Sequence, residues 1–347
     1  MSAVRLQWSL ACAALIFTAT CAAAYLDDRR HILIVGSSTA YPIVTAAAEQ
    51  IARRRNMTTP VVESTGTGGG IKMFCSGTGL NTPDIVMASR RMKDSEREAC
   101  FNNQVNDIRE VRIGYDGIVI AGGKDTPPFT LTKRILYLAI ARQVPSAQDP
   151  ARLIANPYQT WQQIDARLPD IPIRLLGPPP TSGTRDILVE RVLEDACQGF
   201  PILRALKSED QTAFANSCDA LREDGAFVNS GENEARMVRK LITDAGALGV
   251  LGYSFLDRNR ARLNAATVDG IAPTFESIES GVYPLSRPLY LYIKPQHERL
   301  VGELDTFVRT LLSRDITGPE GYLVDRGLIP LTERDRATAE TREAARR

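Results

Sequence analysis

The sequence predicts two α/β lobes with mainly parallel sheets. Three times along the chain, a short apolar segment is followed by a turn rich in Ser, Thr and Gly and then by apolar residues at helical spacing. These turns lie at Gly36–Thr39, Ser64–Gly70 and Gly177–Gly183. Strands that alternate with helices are typical of parallel α/β sheets. With 347 residues, the chain is long enough for two domains.

The remaining elements follow from the same patterns of apolar residues. We expect strands at 31–35, 61–62, 84–88, 117–121, 171–176, 247–255 and 289–293. We expect helices from Pro42 onwards, from Ile71 onwards, at 184–196 and at 300–312, and a helical or frayed charged tail after Arg334.

Charge and histidine content exclude several classes of function. The net charge of +1 offers no field that would attract nucleic acid or a membrane surface, so anion selectivity has to come from a local site. The two histidines, His31 and His297, are far apart in sequence and have no ligand-like neighbours. We therefore expect neither a zinc site nor a histidine-based catalytic triad.

The first 24 residues have the pattern of an export signal. Arg5 provides the positive start, residues 8–19 form an apolar stretch, and small residues end at Ala24, where we expect cleavage. The apolar stretch is too short to span a membrane, although an uncleaved anchor is an alternative. Cys21 raises the possibility of lipidation, but the residues before it match a lipidation box poorly. We expect a soluble mature protein in the periplasm.

Four cysteines remain after the predicted cleavage, and an even number in an oxidising compartment favours two disulfides. They are Cys75, Cys100, Cys197 and Cys218. Three pairings are possible, and four free buried thiols are the alternative. The local pairing, Cys75–Cys100 and Cys197–Cys218, closes two loops of similar length and gives one bridge per lobe. No CxxC pair is present, so metal binding by these cysteines is not expected.

The three Ser/Thr/Gly turns have the composition of oxyanion sites. A helix N-terminus presents unpaired N–H groups, and small residues let a ligand approach the backbone while hydroxyls add donors. A single turn of this kind often only caps a helix, but three in one chain indicate anion binding. The second turn lacks the Gly-Lys-Ser/Thr ending of a P-loop, and no histidine lies near Ser38 or Ser182 to activate a nucleophile.

Two arginines lie next to these turns. Arg90 follows a predicted strand, and Arg185 follows the third turn. A guanidinium group matches the oxygens of phosphate with paired hydrogen bonds, so both are candidate ligands. The alternative is that they are solvated surface charges, which is our prediction for Arg91.

Seven segments of the chain together resemble the periplasmic phosphate-binding proteins of ABC transporters. They are GSSTAYPIV, STGTGGGIKMF, IVMASRRMK, GYDGIVIA, PTSGTRD, LGVLGYSF and YPLSRPLYLYIK, in order over about residues 31–330. The resemblance implies the type II periplasmic binding protein fold, in which two lobes joined by hinge strands close over the anion. It also implies binding residues in four turns: Ser38, Thr39 and Ala40; Thr67 and Gly68; Ser89 and Arg90; and Ser182, Gly183 and Thr184.

The function implied by the resemblance is capture of inorganic phosphate for an ABC import permease, without catalysis or a cofactor. We expect a monomer whose lobe I comprises 25–120 and 290–347 and whose lobe II comprises 121–289. Three alternatives remain open: an exported phosphatase-like enzyme, a phosphate sensor or adhesin without a permease, and a protein that binds sulfate or molybdate.

The sequence departs from the family pattern at two positions. Many members have an aspartate, the acceptor for the phosphate proton, where this chain has Arg90, and many have an arginine where this chain has Pro178–Pro180. A carboxylate that accepts this proton would separate phosphate from sulfate. Asp116, just before the first predicted crossing strand, is our candidate acceptor. The alternative is a turn aspartate that caps backbone amides or pairs with Arg90.

Overall fold

The computed structural model describes residues 31–231 and 233–344. The predicted export signal and Cys21 lie outside these residues. The strands are β1 (Leu33–Gly36), β2 (Val61–Ser64), β3 (Ile85–Ala88), β4 (Arg109–Gly123), β5 (Thr130–Leu131), β6 (Gln143–Pro145), β7 (Leu153–Ala155), β8 (Leu175–Gly177), β9 (Phe227–Asn229), β10 (Leu248–Gly252), β11 (Leu263–Ala265), β12 (Thr267–Val268) and β13 (Ser286–Ile293).

Helices fill most of the connections between these strands. The α-helices are α1 (Tyr41–Arg55), α2 (Thr67–Phe74), α3 (Asp94–Asn102), α4 (Lys133–Ile140), α5 (Trp161–Ile164), α6 (Gly183–Leu188), α7 (Asp195–Cys197), α8 (Pro201–Glu209), α9 (Gln211–Cys218), α10 (Glu234–Thr243), α11 (Tyr253–Arg258), α12 (Phe275–Glu279), α13 (Leu304–Leu311), α14 (Arg314–Thr317) and α15 (Glu333–Ala344). A π-helical segment, Val189–Glu194, joins α6 to α7, and 3₁₀ turns occupy Pro295–Arg299 and Val324–Arg326.

A mixed sheet runs through the molecule in the order β2-β1-β3-β13-β4-β10-β8-β9, with β11 also paired to β4. The pairs β1–β2, β1–β3, β8–β9 and β8–β10 are parallel, whereas β13 and β4 are antiparallel to their neighbours. Residues 109–117 of β4 pair with β13, and residues 118–121 pair with β10. One 15-residue strand therefore connects the two halves of the sheet.

Buried apolar residues form separate cores on the two halves, which we call lobe I and lobe II. The cores of lobe I contain residues of β1, β3, α1 and α13, and the core of lobe II contains residues of α4, β8, β10 and α10. The change of core falls between Ile113 and Tyr115 on β4 and between Leu285 and Leu289 at the start of β13. The protein therefore has the two-lobed α/β fold of the periplasmic binding proteins, with β4 and β13 linking the lobes.

The predicted lobe bounds of 25–120 plus 290–347 and 121–289 stay a prediction. The C-terminal segment adds a connection that the sequence did not indicate. Ile329 exchanges backbone hydrogen bonds with Tyr115 on β4, at 2.7 and 2.9 Å, and its side chain packs with the core of lobe II.

Several predicted elements were wrong in part, among them the strand expected at 171–176, which begins only at Leu175. The strand expected at 247–255 ends at Gly252, and α11 begins at the next residue. A short apolar run does not by itself distinguish a buried strand from a buried helix, and the glycine marks the change. The helix expected at 300–312 begins only at Leu304, and Leu300 is 56% exposed after the 3₁₀ turn.

Each lobe contains one disulfide. Cys75 bonds to Cys100 between α2 and α3, and Cys197 bonds to Cys218 between α7 and α9, which is the local pairing.

Within the described residues, no helix is both long and apolar enough to cross a membrane. In the same part of the chain, no three His, Cys, Asp or Glu side chains are grouped so that they could hold a metal ion.

Candidate anion-binding site

The first turn lies at the carboxyl end of β1 and opens α1. Gly36 has a φ of +132°, which favours glycine, and a Cβ at Gly70 would lie 2.5 Å from the Cα of Gly36. The first and second turns are therefore packed backbone against backbone. The first backbone hydrogen bond of α1 runs from the amide of Tyr41 to the carbonyl of Ser37 at 3.0 Å. The amides of Ser38 and Thr39 lie before this bond and take no part in the hydrogen bonding of the helix.

The second turn meets the end of β3. The hydroxyls of Thr67 and Ser89 are 3.2 Å apart, and the amide of Ser89 donates to the Thr67 hydroxyl at 3.3 Å. Thr67 begins α2, and the first backbone hydrogen bond of this turn runs from the amide of Gly70 to the carbonyl of Gly66 at 2.9 Å. The amides of Gly68 and Gly69 lie before that bond. Because parallel strands β1 and β3 are neighbours, the turns that follow them lie at the same edge of the sheet.

The third turn belongs to lobe II and faces the first. Ser182 precedes α6, and its carbonyl accepts from the amide of Arg185 at 2.9 Å. A Cβ at Gly183 would lie 3.5 Å from both the Cα and the carbonyl oxygen of Thr39. The amides of Gly183 and Thr184 therefore begin a helix within contact distance of the first turn.

Arg287 on β13 contacts the first turn and the end of β3, and sequence reasoning missed it. Its guanidinium donates from Nη2 to the Thr39 hydroxyl and from Nη1 to a carboxylate oxygen of Glu190 in lobe II. Nη1 also lies 3.5 Å from the hydroxyl of Ser89. The residue is only 5% exposed, and within the described residues its buried Nε has no hydrogen-bond partner. A buried donor without a partner is costly, so the Nε of Arg287 is available to an added acceptor such as an anion.

Asp116 lies directly opposite Arg287 on the neighbouring strand. The two residues are register partners in the antiparallel pair of β4 and β13, so their side chains project from the same face. Burial raises the pKa of the Asp116 carboxyl to about 6, and the positive charge of Arg287 and a hydrogen bond from the Gly117 amide act in the opposite direction. Asp116 is thus a partly buried carboxyl beside the buried arginine.

Arg90 is already paired with a carboxylate. Its Nη1 and Nη2 donate to the two oxygens of Glu96, both at 2.8 Å, and this pairing raises the pKa of the guanidinium. A Cβ at Gly68 would lie 3.8 Å from Arg90 Nη2, so the pair stands beside the second turn. Arg91 lies over the ring of Tyr290 and within ion-pair distance of Glu110, with its side chain 70% exposed.

Arg185 is partly buried at the carboxyl ends of β8 and β9. Its Nη1 donates to the carbonyl of Pro178 at 3.2 Å, and its guanidinium lies 4.8 Å from the ring centre of Phe227. Burial lowers the pKa of this group below its usual value. The described residues include no carboxylate within ion-pair distance of Arg185.

The structure thus brings most of the predicted turn residues to one place, whereas the Arg185 guanidinium contacts Pro178 and Phe227. The gathered residues are Thr39, Thr67, Gly68, Ser89, Asp116 and Gly183, with Ser38, Ala40, Ser182 and Thr184 as their direct neighbours in sequence and Arg90 beside Gly68. Arg287 and Glu190 complete the cluster. The sequence does contain a signal that could have identified Arg287. It is an arginine inside the apolar strand YPLSRPLYLYIK, where a charged side chain has to be buried with a partner.

A family model described as a PBP superfamily domain matches residues 22–315 of this chain. The chain belongs to the PBP superfamily. Protein SphX of Synechocystis sp. is 30% identical over 334 residues, which cover 95% of this chain and 87% of that protein. Phosphate-binding protein PstS of Staphylococcus haemolyticus is 26% identical over 265 residues, or 75% of this chain and 69% of that protein.

A solved structure is also similar to this PBP-superfamily chain. A possible phosphate binding protein from Planctomyces limnophilus has a TM-score of 0.70 and 25% sequence identity, and the match covers 91% of this chain and 98% of that one. The fold, the match of the family model and these relatives agree with one another.

Proposed function

We propose that this protein binds inorganic phosphate between its lobes and delivers it to an ABC import permease. The observation that carries the proposal is the buried guanidinium of Arg287, which contacts Thr39 of lobe I and lies beside Ser89, while its Nε has no hydrogen-bond partner in the described part of the chain. Phosphate oxygens match both the fork of a guanidinium and the amides at helix N-termini. The PstS relative, named as a phosphate-binding protein, supports the same anion.

The proposed ligands come from both lobes. The amides and hydroxyls of the turns at 38–40, 67–68 and 89 come from lobe I, and the amides at 182–184 come from lobe II. Arg287 supplies the positive charge, and Arg90 and Arg185 remain candidate ligands at the border of the site. Since donors come from both lobes, binding of the anion favours closure of the lobes.

Asp116 is the proposed acceptor for the proton of phosphate. Monohydrogen phosphate has an O–H to donate, whereas sulfate at neutral pH has none, so a carboxylate at this position rejects sulfate by repulsion. The position of Asp116 opposite Arg287 supports this role. No enzymatic activity and no cofactor are proposed, and we propose that the protein works as a monomer outside the cytoplasm after removal of residues 1–24.

Calorimetric titration of the mature chain, freed of ligand by unfolding and refolding, tests the choice of anion. We expect one phosphate per chain, with sulfate and molybdate binding at least about 100-fold more weakly. The reason is that a carboxylate placed to accept the phosphate proton discriminates strongly against anions that have no proton to donate. Tighter binding of sulfate or molybdate, or the absence of any binding, would contradict the proposal.

Transport needs a separate test. Deletion of the gene in the source organism should slow uptake of labelled phosphate at low external phosphate, and restoring the gene should correct it. If the isolated protein binds phosphate but uptake is unchanged by the deletion, the protein is a sensor or a surface binder rather than a transport component.

A further inference from the structure

Glu190 is a carboxylate inside the cluster that the proposed phosphate site does not use. Its Oε2 accepts a hydrogen bond from Arg287 Nη1, and the residue comes from lobe II, whereas Thr39, on the other arm of the same guanidinium, comes from lobe I. Through Arg287, this carboxylate therefore connects lobe II to the first turn of lobe I.

The helix that carries Glu190 has an unusual turn at this residue. Helix α6, the π-helical segment Val189–Glu194 and α7 form one continuous helix, and Glu190 is the second residue of the π segment. Glu190 follows Gly183 by seven residues, about two helical turns, so both face the same side of the helix. Single π turns within helices often occur at functional sites because they change the direction of side chains.

Phosphate and Glu190 would share the same side of the Arg287 guanidinium. Nη1 and Nη2 are the Arg287 nitrogens that contact the hydroxyls of Ser89 and Thr39, so a phosphate between these two residues would draw on both, with Nε, which has no partner among the described residues, as a further donor. Nη1 is already bonded to Glu190. Two anions on one guanidinium repel each other, so the carboxylate and phosphate compete for Arg287.

The burial of the two partners decides which one moves. The Arg287 side chain is 5% exposed, whereas the Glu190 side chain is 47% exposed. Glu190 can turn into solvent at little cost, but Arg287 cannot leave the interior without losing its contact with Thr39. When phosphate binds, it therefore replaces Glu190, while the Arg287 guanidinium stays in place.

We infer that Glu190 is an internal competing anion, which occupies Arg287 when phosphate is absent and has to be displaced when phosphate binds. The inference rests on the proposed function, because it concerns the same site. Glu190 balances the buried charge of Arg287 in the ligand-free protein and lowers the affinity for phosphate, which favours release to an acceptor.

Glu190→Gln tests the inference, since it keeps the shape of the side chain and removes its charge. We expect this variant to bind phosphate about three- to tenfold more tightly than the parent protein in calorimetry at pH 8, because phosphate no longer has to displace a carboxylate from Arg287. Glu194→Gln, one turn further along the same helix, removes an equal charge from a residue outside the Arg287 contact. It should change the phosphate Kd by less than about twofold.

Three results would overturn the inference. Equal or weaker binding by Glu190→Gln would mean that Glu190 does not compete, and weaker binding would instead make it a ligand or a positioning residue. An equal gain in Glu194→Gln would assign the effect to the general field of the helix. Failure of the parent protein itself to bind phosphate would be seen in the same titration and would remove the proposed function along with the inference.

Discussion

Asp116 and Arg287 lie opposite each other on the two antiparallel strands that link the lobes. The pair places a carboxyl with a raised pKa beside a buried guanidinium, at the position where turns from both lobes meet. A site built in this way can attract an anion and also sense whether the anion has a proton to donate. Both properties lead to measurable consequences.

Asp116→Asn should stabilise the ligand-free protein at neutral pH. The folded pKa of about 6 lies above the unfolded value of about 3.9, so the folded protein binds this proton more tightly. The cost of ionising Asp116 is absent below about pH 4, grows between pH 4 and 6, and is complete above that range. We expect the variant to gain about 1–3 kcal/mol in the free energy of unfolding at pH 7, measured with urea in phosphate-free buffer.

The exposed residue Asp107 provides the control for that experiment. Asp107→Asn should leave the pH dependence of unfolding as it is in the parent protein. A gain for Asp116→Asn that stays constant from pH 4 to pH 7 would show that ionisation of Asp116 is not responsible.

The same substitution should reduce discrimination between anions. Without the carboxylate, sulfate is no longer repelled, so the ratio of the sulfate and phosphate Kd values should fall by at least about tenfold in Asp116→Asn. Phosphate affinity itself should change less than sulfate affinity. If the variant rejects sulfate as strongly as the parent protein does, the acceptor of the phosphate proton is another group.

A second buried pair should affect stability without affecting the site. His297 Nδ1 and an oxygen of Asp84 are 2.6 Å apart, and both side chains are fully buried in lobe I. Asp84 directly precedes β3, whereas Ser89 directly follows it, so the pair lies at the opposite end of the strand from the anion site. His297→Ala should cost about 1–3 kcal/mol of unfolding free energy, because it removes one hydrogen-bond partner of a buried carboxylate whose other oxygen still accepts from the Leu33 amide.

Urea denaturation and phosphate titration of the same sample test whether His297→Ala lowers stability without lowering phosphate affinity. The exposed residue His31 offers a matched control, and His31→Ala should change the unfolding free energy by less than about 0.5 kcal/mol. A large loss of phosphate affinity in folded His297→Ala would show that the two ends of β3 are coupled.

Much of the fold was predictable because its signals are local. The strand, turn and helix around Thr39 could be predicted from apolar spacing, the small residues of the turn and the tolerance of Pro42 in a first helical turn. The two-lobed fold could be expected from the combined motifs. The change from β10 to α11 at Gly252 could not be located in this way, because both sides of the change are apolar.

The site was harder to predict than the fold because its charges depend on long-range pairing. Arg90 stands beside a binding turn in sequence, but its guanidinium is bound to Glu96. Arg287 is 248 residues from Thr39 and contacts it only because β13 lies between β3 and β4. Such a contact follows from strand order, and the sequence carries only the indirect signal of a cation within an apolar strand.

Phosphate titration of Arg287→Ala beside Arg91→Ala tests whether the anion binds at Arg287. Removal of a buried charged donor costs about 2–5 kcal/mol, so the first variant should bind phosphate at least about 30-fold more weakly than the parent protein, while a circular dichroism spectrum confirms its fold. Arg91 is exposed and lies outside the cluster, so the Kd of the second variant should stay within about twofold of the parent value. Parent-like affinity in Arg287→Ala, or equal losses in both variants, would contradict the central claim that phosphate binds at Arg287 between the lobes.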